Sequence, residues 1–194
     1  MKILICTFFS HNYSKKFYES LKDFNFLIDD CGFFCASDIC ENWPYDFNIS
    51  KLKNTCLDAA KQIKPEWMVM LPGCDGSLLQ VPDINSLDKE VLYYGFKKNK
   101  NSELREVCSL HMYSQNIYNN FRYSEKFKFF WDDFDFFLNQ THNIKKNKHE
   151  DLVCLHDNHE SLVNEIRYVK DRFFIEQQEF MCKYKLIHGK DFSS

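Results

Sequence analysis

The chain has 194 residues, 44% of them hydrophobic, with 20 Phe and 10 Tyr, so it is long and apolar enough to bury a core. A net charge of −3 gives no global basic field for nucleic acid, and no apolar run approaches the ~20 residues of a membrane-spanning helix. Nine cysteines, an odd count without a secretion signal, point to reduced thiols in a cytoplasmic setting.

Residues 2–7 form a continuous apolar run, as in a central parallel strand. Residues 13–22 place Tyr13, Phe17 and Leu21 at helical spacing and predict a short amphipathic helix. A second strand is expected at 24–28, stopped by Asp29-Asp30-Cys31-Gly32. Residues 33–50 carry the breakers Asn42, Pro44 and Asn48 and read as irregular. The pattern at 51–63 predicts a helix with Leu52, Cys56, Ala59, Ala60 and Ile63 on one face, ended before Pro65. Residues 67–71 predict a buried strand followed by a tight turn over 72–76.

Further strands are expected at 90–96 and 106–111, joined by a charged hairpin or loop at 97–103. A helix is expected at 112–121. The string 143–150 reads as a basic loop, 152–156 as a last strand and 159–187 as a long helix. That helix is too apolar to lie alone on a surface, so it should pack on the sheet or form a homodimer face. No repeat or linker interrupts residues 1–194, which are expected to form one domain.

Strands alternating with helices predict an α/β fold, a mostly parallel sheet flanked by helices. In such sheets the ligand site lies beyond the carboxyl ends of the strands. Thr7, Asp29, Asp30, Asp75 and His156 stand at the expected strand ends and are candidates for a shared cleft. No Gly-x-Gly-x-x-Gly or Gly-x-x-x-x-Gly-Lys run is present, which argues against dinucleotide or P-loop chemistry.

The most informative stretch is 129–138, where Asp132, Asp133 and Asp135 lie among large apolar residues. Apolar positions 127, 130, 131, 134, 137 and 138 fall at helical spacing and predict a helix over about 131–141 with one buried stripe. The acids would then sit beside that stripe at the helix start, where the dipole favours their charged form. A carboxylate at the edge of a core can take a proton or hold a metal. A capped core helix with solvated acids would give the same string.

These residues carry a resemblance. Lys53-Asn54-Thr55-Cys56-Leu57-Asp58-Ala59-Ala60, then Trp67 to Asp75, resembles the core of GT-A fold (Rossmann-like) glycosyltransferases: a basic residue and Asn opening a helix, then a buried strand ending in Asp-x-Asp. Residues 109–113 and 121–136, leading into Asp132-Asp133, are similar to that family's acceptor-side segment. Leu155-His156-Asp157-Asn158-His159 is similar to its His-bearing strand end.

The resemblance implies an inverting transferase that moves a sugar from a nucleotide-sugar donor, a UDP-sugar first, to an acceptor hydroxyl. It implies Asp133 as general base and Asp132 as its support. It places Thr7, Asp29, Asp30, Lys53 and Asn54 on the donor side. It gives Asp75, His156 and His159 as ligands of Mn²⁺ or Mg²⁺. Gly73 stands where the family has the first acid of Asp-x-Asp, so the motif is incomplete. Two other classes fit: a non-catalytic nucleotide- or carbohydrate-binding module, and a nucleotidyltransferase-type α/β enzyme.

Overall fold

The computed structural model describes residues 1–10, 31–38, 45–72, 76–98, 103–156 and 167–192. The helix expected at 13–22 and the strand expected at 24–28 lie outside the described residues, as do Asp29, Asp30, Asp75 and His159.

Among the described residues seven strands form one sheet: β1 (Ile3–Ser10), β2 (Cys31–Asp38), β3 (Trp67–Met70), β4 (Gly76–Gln80), β5 (Val91–Lys98), β6 (Leu104–Ser114) and β7 (Lys145–His156). Their order is β2-β1-β3-β6-β5-β7-β4. β1 pairs in parallel with both β2 and β3, and β5 pairs in parallel with β7. The β3–β6, β5–β6 and β4–β7 pairings are antiparallel. The expected α/β class holds, with helices flanking the sheet. The chain leaves β1 for one neighbour, β2, and returns to the other, β3, so the strand order reverses at β1–β3. Ligands of open α/β sheets bind at such a reversal, beyond the carboxyl ends.

Alternate residues of β1 point to opposite faces, and both faces are covered. Leu4, Cys6 and Phe8 pack with Leu52, Cys56, Leu57 and Ala60. Ile3 and Ile5 pack with Val69, Leu71, Val91 and Leu110. Burial on both sides explains the unbroken apolar run.

The helix α1 (Ile49–Ile63) begins where Asn48 accepts from the Lys51 N–H at 3.0 Å. It ends at Lys64, whose φ of 56° reverses the chain ahead of Pro65. This matches the expected 51–63, with Leu52, Cys56 and Ala60 buried and Ile63 exposed.

Four expectations are corrected. Residues 31–38, read as largely irregular, form the edge strand β2. Only Gln115–Tyr118 (α2) is helical of the stretch 112–121, because β6 continues to Ser114. The basic stretch 143–150 is mostly strand, since β7 begins at Lys145 and hydrogen-bonds to β5 through its backbone. Lys146 folds back, donating to the Thr141 carbonyl at 2.6 Å.

The fourth concerns 131–141. A three-residue helical turn, α3 (Asp132–Phe134), passes into a π-helix at Asp135–Gln140, closed by Thr141 N–H donating to the Phe136 carbonyl at 3.0 Å. The wider turn shifts the phase of the apolar positions. Phe136 takes the core place and Phe134, expected in the stripe, is 39% exposed. The last helix, α4 (Arg167–His188), packs on this segment, where Phe180 stacks on Trp131 at 5.2 Å.

Candidate functional site

The first two turns of α1 bind the chain that leads to the acid pair. Ser50, Lys53, Asn54 and Leu57 share one ridge at i, i+3, i+4 and i+7. Ser50 Oγ donates to the Phe127 carbonyl at 2.7 Å. Asn54 is bonded both ways to Tyr123: its Nδ2 donates to the carbonyl at 3.0 Å, and its Oδ1 accepts from the N–H at 2.9 Å. Ile49 N–H donates to the Lys128 carbonyl at 2.8 Å. The segment 123–128 is therefore laid along the start of α1.

Lys53 occupies the centre of this contact, with a side chain only 1% exposed. Its Nζ donates to Asp132 Oδ2 and to Asp133 Oδ1, both at 2.6 Å. It lies 5.2 Å from the Phe8 ring centroid and 5.0 Å from that of Tyr123. Burial pulls the Lys53 pKa down, yet the two carboxylates outweigh it and leave it above the ordinary lysine value.

Two acids share one counter-ion, so the second acid is under-compensated. Asp133 bears the consequence. Burial, then repulsion from Asp132, raise its carboxyl from 3.8 to about 7, against the pull of Lys53. Its side chain is 16% exposed, compared with 6% for Asp132. Among the described residues Lys53 is its one hydrogen-bond partner, through Oδ1. A carboxyl titrating near neutrality and partly open to solvent is suited to accept a proton.

Trp131, just before the pair, has φ of 61°, a left-handed backbone that a bulky residue rarely adopts. That conformation carries the chain from the bend at residues 128–130 into the Asp132-Asp133 turn. Beside the pair lies a cleft of about 400 Å³, lined by Phe129, Phe130, Trp131 and Phe134 together with Glu106, Val107 and Ser109 of β6. Among the described residues that line it, none is basic. Met70, the last residue of β3, pairs with His111, so β6 residues 106–109 extend past the carboxyl end of β3. The cleft therefore sits at the end of the sheet where ligands of this architecture bind.

The structure joins Lys53, Asp132 and Asp133 and sets Asn54 beside them as a backbone clamp. Lys53, assigned by resemblance to the donor diphosphate, is held by the two acids. Thr7 is fully buried on β1, its carbonyl accepting from Cys56 Sγ at 3.3 Å. His156 ends β7 opposite Gly76, the sequence neighbour of Asp75. Among the described residues no cluster of three or more His, Cys, Asp and Glu could hold a metal ion. His111 is buried, with Nδ1 3.3 Å from Tyr123 Oη and its ring stacked on Phe137.

Two further acids are fully buried: Asp135, singled out in the sequence but expected at the edge of the core, and Glu176, which the sequence reading missed. Asp135 is bonded to Asn139 at 2.9 Å, Gln140 at 3.1 Å and Lys183 at 2.7 Å, tying the π-helix to α4. Glu176 accepts three backbone N–H groups, those of residues 128–130. A signal for Glu176 does exist: it shares the stripe of Val169, Phe173 and Phe180, and a charged residue in an apolar stripe needs a partner.

No protein-family model and no curated protein matches the chain. Among solved structures it is similar to a glycosyltransferase involved in the glycosylation of the major capsid of PBCV-1. The two share 11% sequence identity and superpose with a TM-score of 0.51, over 91% of this chain and 100% of the other. The chain has a glycosyltransferase-like fold. Among the described residues no helix is long and apolar enough to cross a membrane.

Proposed function

We propose that the protein transfers a sugar from a nucleotide-sugar donor to an acceptor hydroxyl, with Asp133 as the general base. The observation that carries this reading is the acid pair under one lysine, whose outer member titrates near 7 beside a cleft at the sheet's ligand-binding end. The fold shared with a glycosyltransferase agrees with it.

The cleft suits the acceptor side. Aromatic walls offer flat apolar surface to the C–H faces of a sugar ring, while Glu106, Ser109 and the acid pair offer hydrogen-bond partners to its hydroxyls. Its described lining residues carry the acids Glu106, Asp132 and Asp133 and offer the donor's diphosphate no counter-charge. In the reaction an acceptor O–H gives its proton to Asp133 as its oxygen bonds to the anomeric carbon. The bond from that carbon to the diphosphate oxygen breaks, and the electron pair leaves with the nucleoside diphosphate. A single displacement of this kind inverts the anomeric centre. Asp132 and Lys53 hold Asp133 in place. A divalent cation on Asp75 with His156 or His159 would neutralise the leaving diphosphate.

One observation favours the non-catalytic binding module instead: Lys53 is committed to the acid pair. The same pairing weighs against a nucleotidyltransferase that would need these acids for cations. The test is release of nucleoside diphosphate from a panel of UDP-, GDP-, ADP- and dTDP-sugars, with neutral sugar acceptors, with and without Mn²⁺. Acceptor-dependent release from one donor supports transfer. Nucleotide that raises the melting temperature without turnover supports the binding module.

A further inference from the structure

Glu176 stands in the middle of α4 with no exposed surface. Its Oε1 accepts from Lys128 N–H at 3.0 Å, and its Oε2 from Phe130 N–H at 2.8 Å and Phe129 N–H at 3.3 Å. Arg172, one helical turn earlier, donates to the same Oε1 from Nε at 3.1 Å and Nη2 at 2.9 Å. Its Nη2 also donates to the Lys126 carbonyl at 3.1 Å. One side-chain pair thus holds four backbone groups of residues 126–130, on the approach to Trp131.

A leucine at 176 would continue the apolar stripe but leave the N–H groups of residues 128–130 without the acceptor they have in Glu176. α1 holds the carbonyls of Phe127 and Lys128, and the carboxylate holds the N–H groups of residues 128–130, so together they fix the course of the chain. Three successive N–H groups lack a strand or helix partner there, and each needs an acceptor. The left-handed Trp131 follows directly. Such a conformation is strained and persists only when its surroundings over-determine it. Helix α4 grips it on two sides: Glu176 fixes the preceding N–H, and Phe180, one turn on, stacks on the indole. On the far side, Asp135 N–H donates to the Trp131 carbonyl at 2.7 Å.

We propose that Glu176, supported by Arg172, is a positioning residue for the acid pair: it holds residues 128–130 so that Trp131 turns Asp132 and Asp133 onto Lys53. This deepens the transferase reading and rests on it for the role of Asp133, but the geometry it claims can be read without turnover.

The experiment is a carboxyl ¹³C NMR titration of Asp133 in the full chain, wild type against Glu176→Gln, with thermal unfolding of each. A glutamine keeps the size but presents one acceptor oxygen. The expected result is a folded variant whose Asp133 midpoint moves by about one unit or more, downward if the loosened turn admits water and upward if it carries the carboxylate off Lys53. An unchanged midpoint beside a lowered melting temperature would overturn the proposal and leave Glu176 a stabilising residue only. Should Glu176→Gln not fold, Arg172→Gln decides, since it leaves the carboxylate in place and frees the Lys126 carbonyl: a shifted midpoint supports positioning and an unchanged one rejects it. Asp58→Asn, which breaks an ion pair with Arg122 away from the turn, should leave the midpoint where it is. Loss of the base reading itself would show elsewhere, as turnover that survives removal of the Asp133 carboxylate.

Discussion

Lys53 and Asp133 are 80 residues apart in the chain, and their charged atoms are 2.6 Å apart in the fold. The pair joins α1 to the acid turn, and the same ammonium holds Asp132. Folding and the proposed chemistry meet at this one lysine, because it decides how much negative charge the site can carry.

Removing that ammonium should therefore be severe. Lys53→Met leaves two buried carboxylates without a counter-ion and is expected to destabilise by about 3–5 kcal/mol at neutral pH. Protons can replace the lysine, so the loss should shrink as pH falls. Urea unfolding at neutral and acid pH checks both parts. A similar, small loss at both would show that the lysine is not compensating the pair.

The titration of Asp133 should appear in stability and in rate with opposite consequences. Its folded value of about 7 lies above its ordinary 3.8. Its contribution to stability is therefore fully present below 3.8 and is lost as pH rises through about 7. Asp133→Asn should abolish that decline in unfolding free energy. A base must first lose its proton, so kcat/KM should rise with pH and level off above about 7. A profile flat across that range would contradict the assignment.

Asn54 should matter to the fold as a two-way clamp. Asn54→Ala leaves the Tyr123 N–H and carbonyl unpartnered in a buried place, at a cost of about 1–3 kcal/mol. Chemical denaturation measures it. An effect below a few tenths of that would show that the backbone finds other partners.

Asp135 should couple the π-helix to α4. Lys183 is partly exposed, so Lys183→Met is expected to cost only about 1 kcal/mol. Asp135→Asn abandons the ion pair inside a fully buried network and should cost more. A double-mutant cycle gives the coupling, and strict additivity would remove the proposed tie.

Much of the frame is legible in the sequence because its signals are local. Trp67 to Met70 is buried throughout and reads as an unbroken apolar run. Helix α1 shows its periodic face and its stop before Pro65, while its cap, Asn48, reads only as a breaker. The strand β2 is obscured because its described side chains are mostly half-buried and it lies at the sheet edge, so neither alternation nor a continuous run marks it. Lys145 to Glu150 are too polar to suggest a strand, yet a β-ladder needs only their backbone. Asp132 and Asp133 stand out as acids in an apolar setting, which is why they can be singled out. Their partner cannot be read from them, since the contact spans a fold that local spacing does not encode. Nor can the π-helix, whose extra residue per turn breaks the periodicity on which helical reading depends.

The most direct test of the account compares wild type with Asp133→Asn for acceptor-dependent release of nucleoside diphosphate, with donor binding followed by thermal shift. The expected result is a fall in kcat of about 10²–10⁴-fold with the donor-induced shift retained. Turnover close to wild type in Asp133→Asn would contradict the central claim that this carboxylate takes the acceptor's proton.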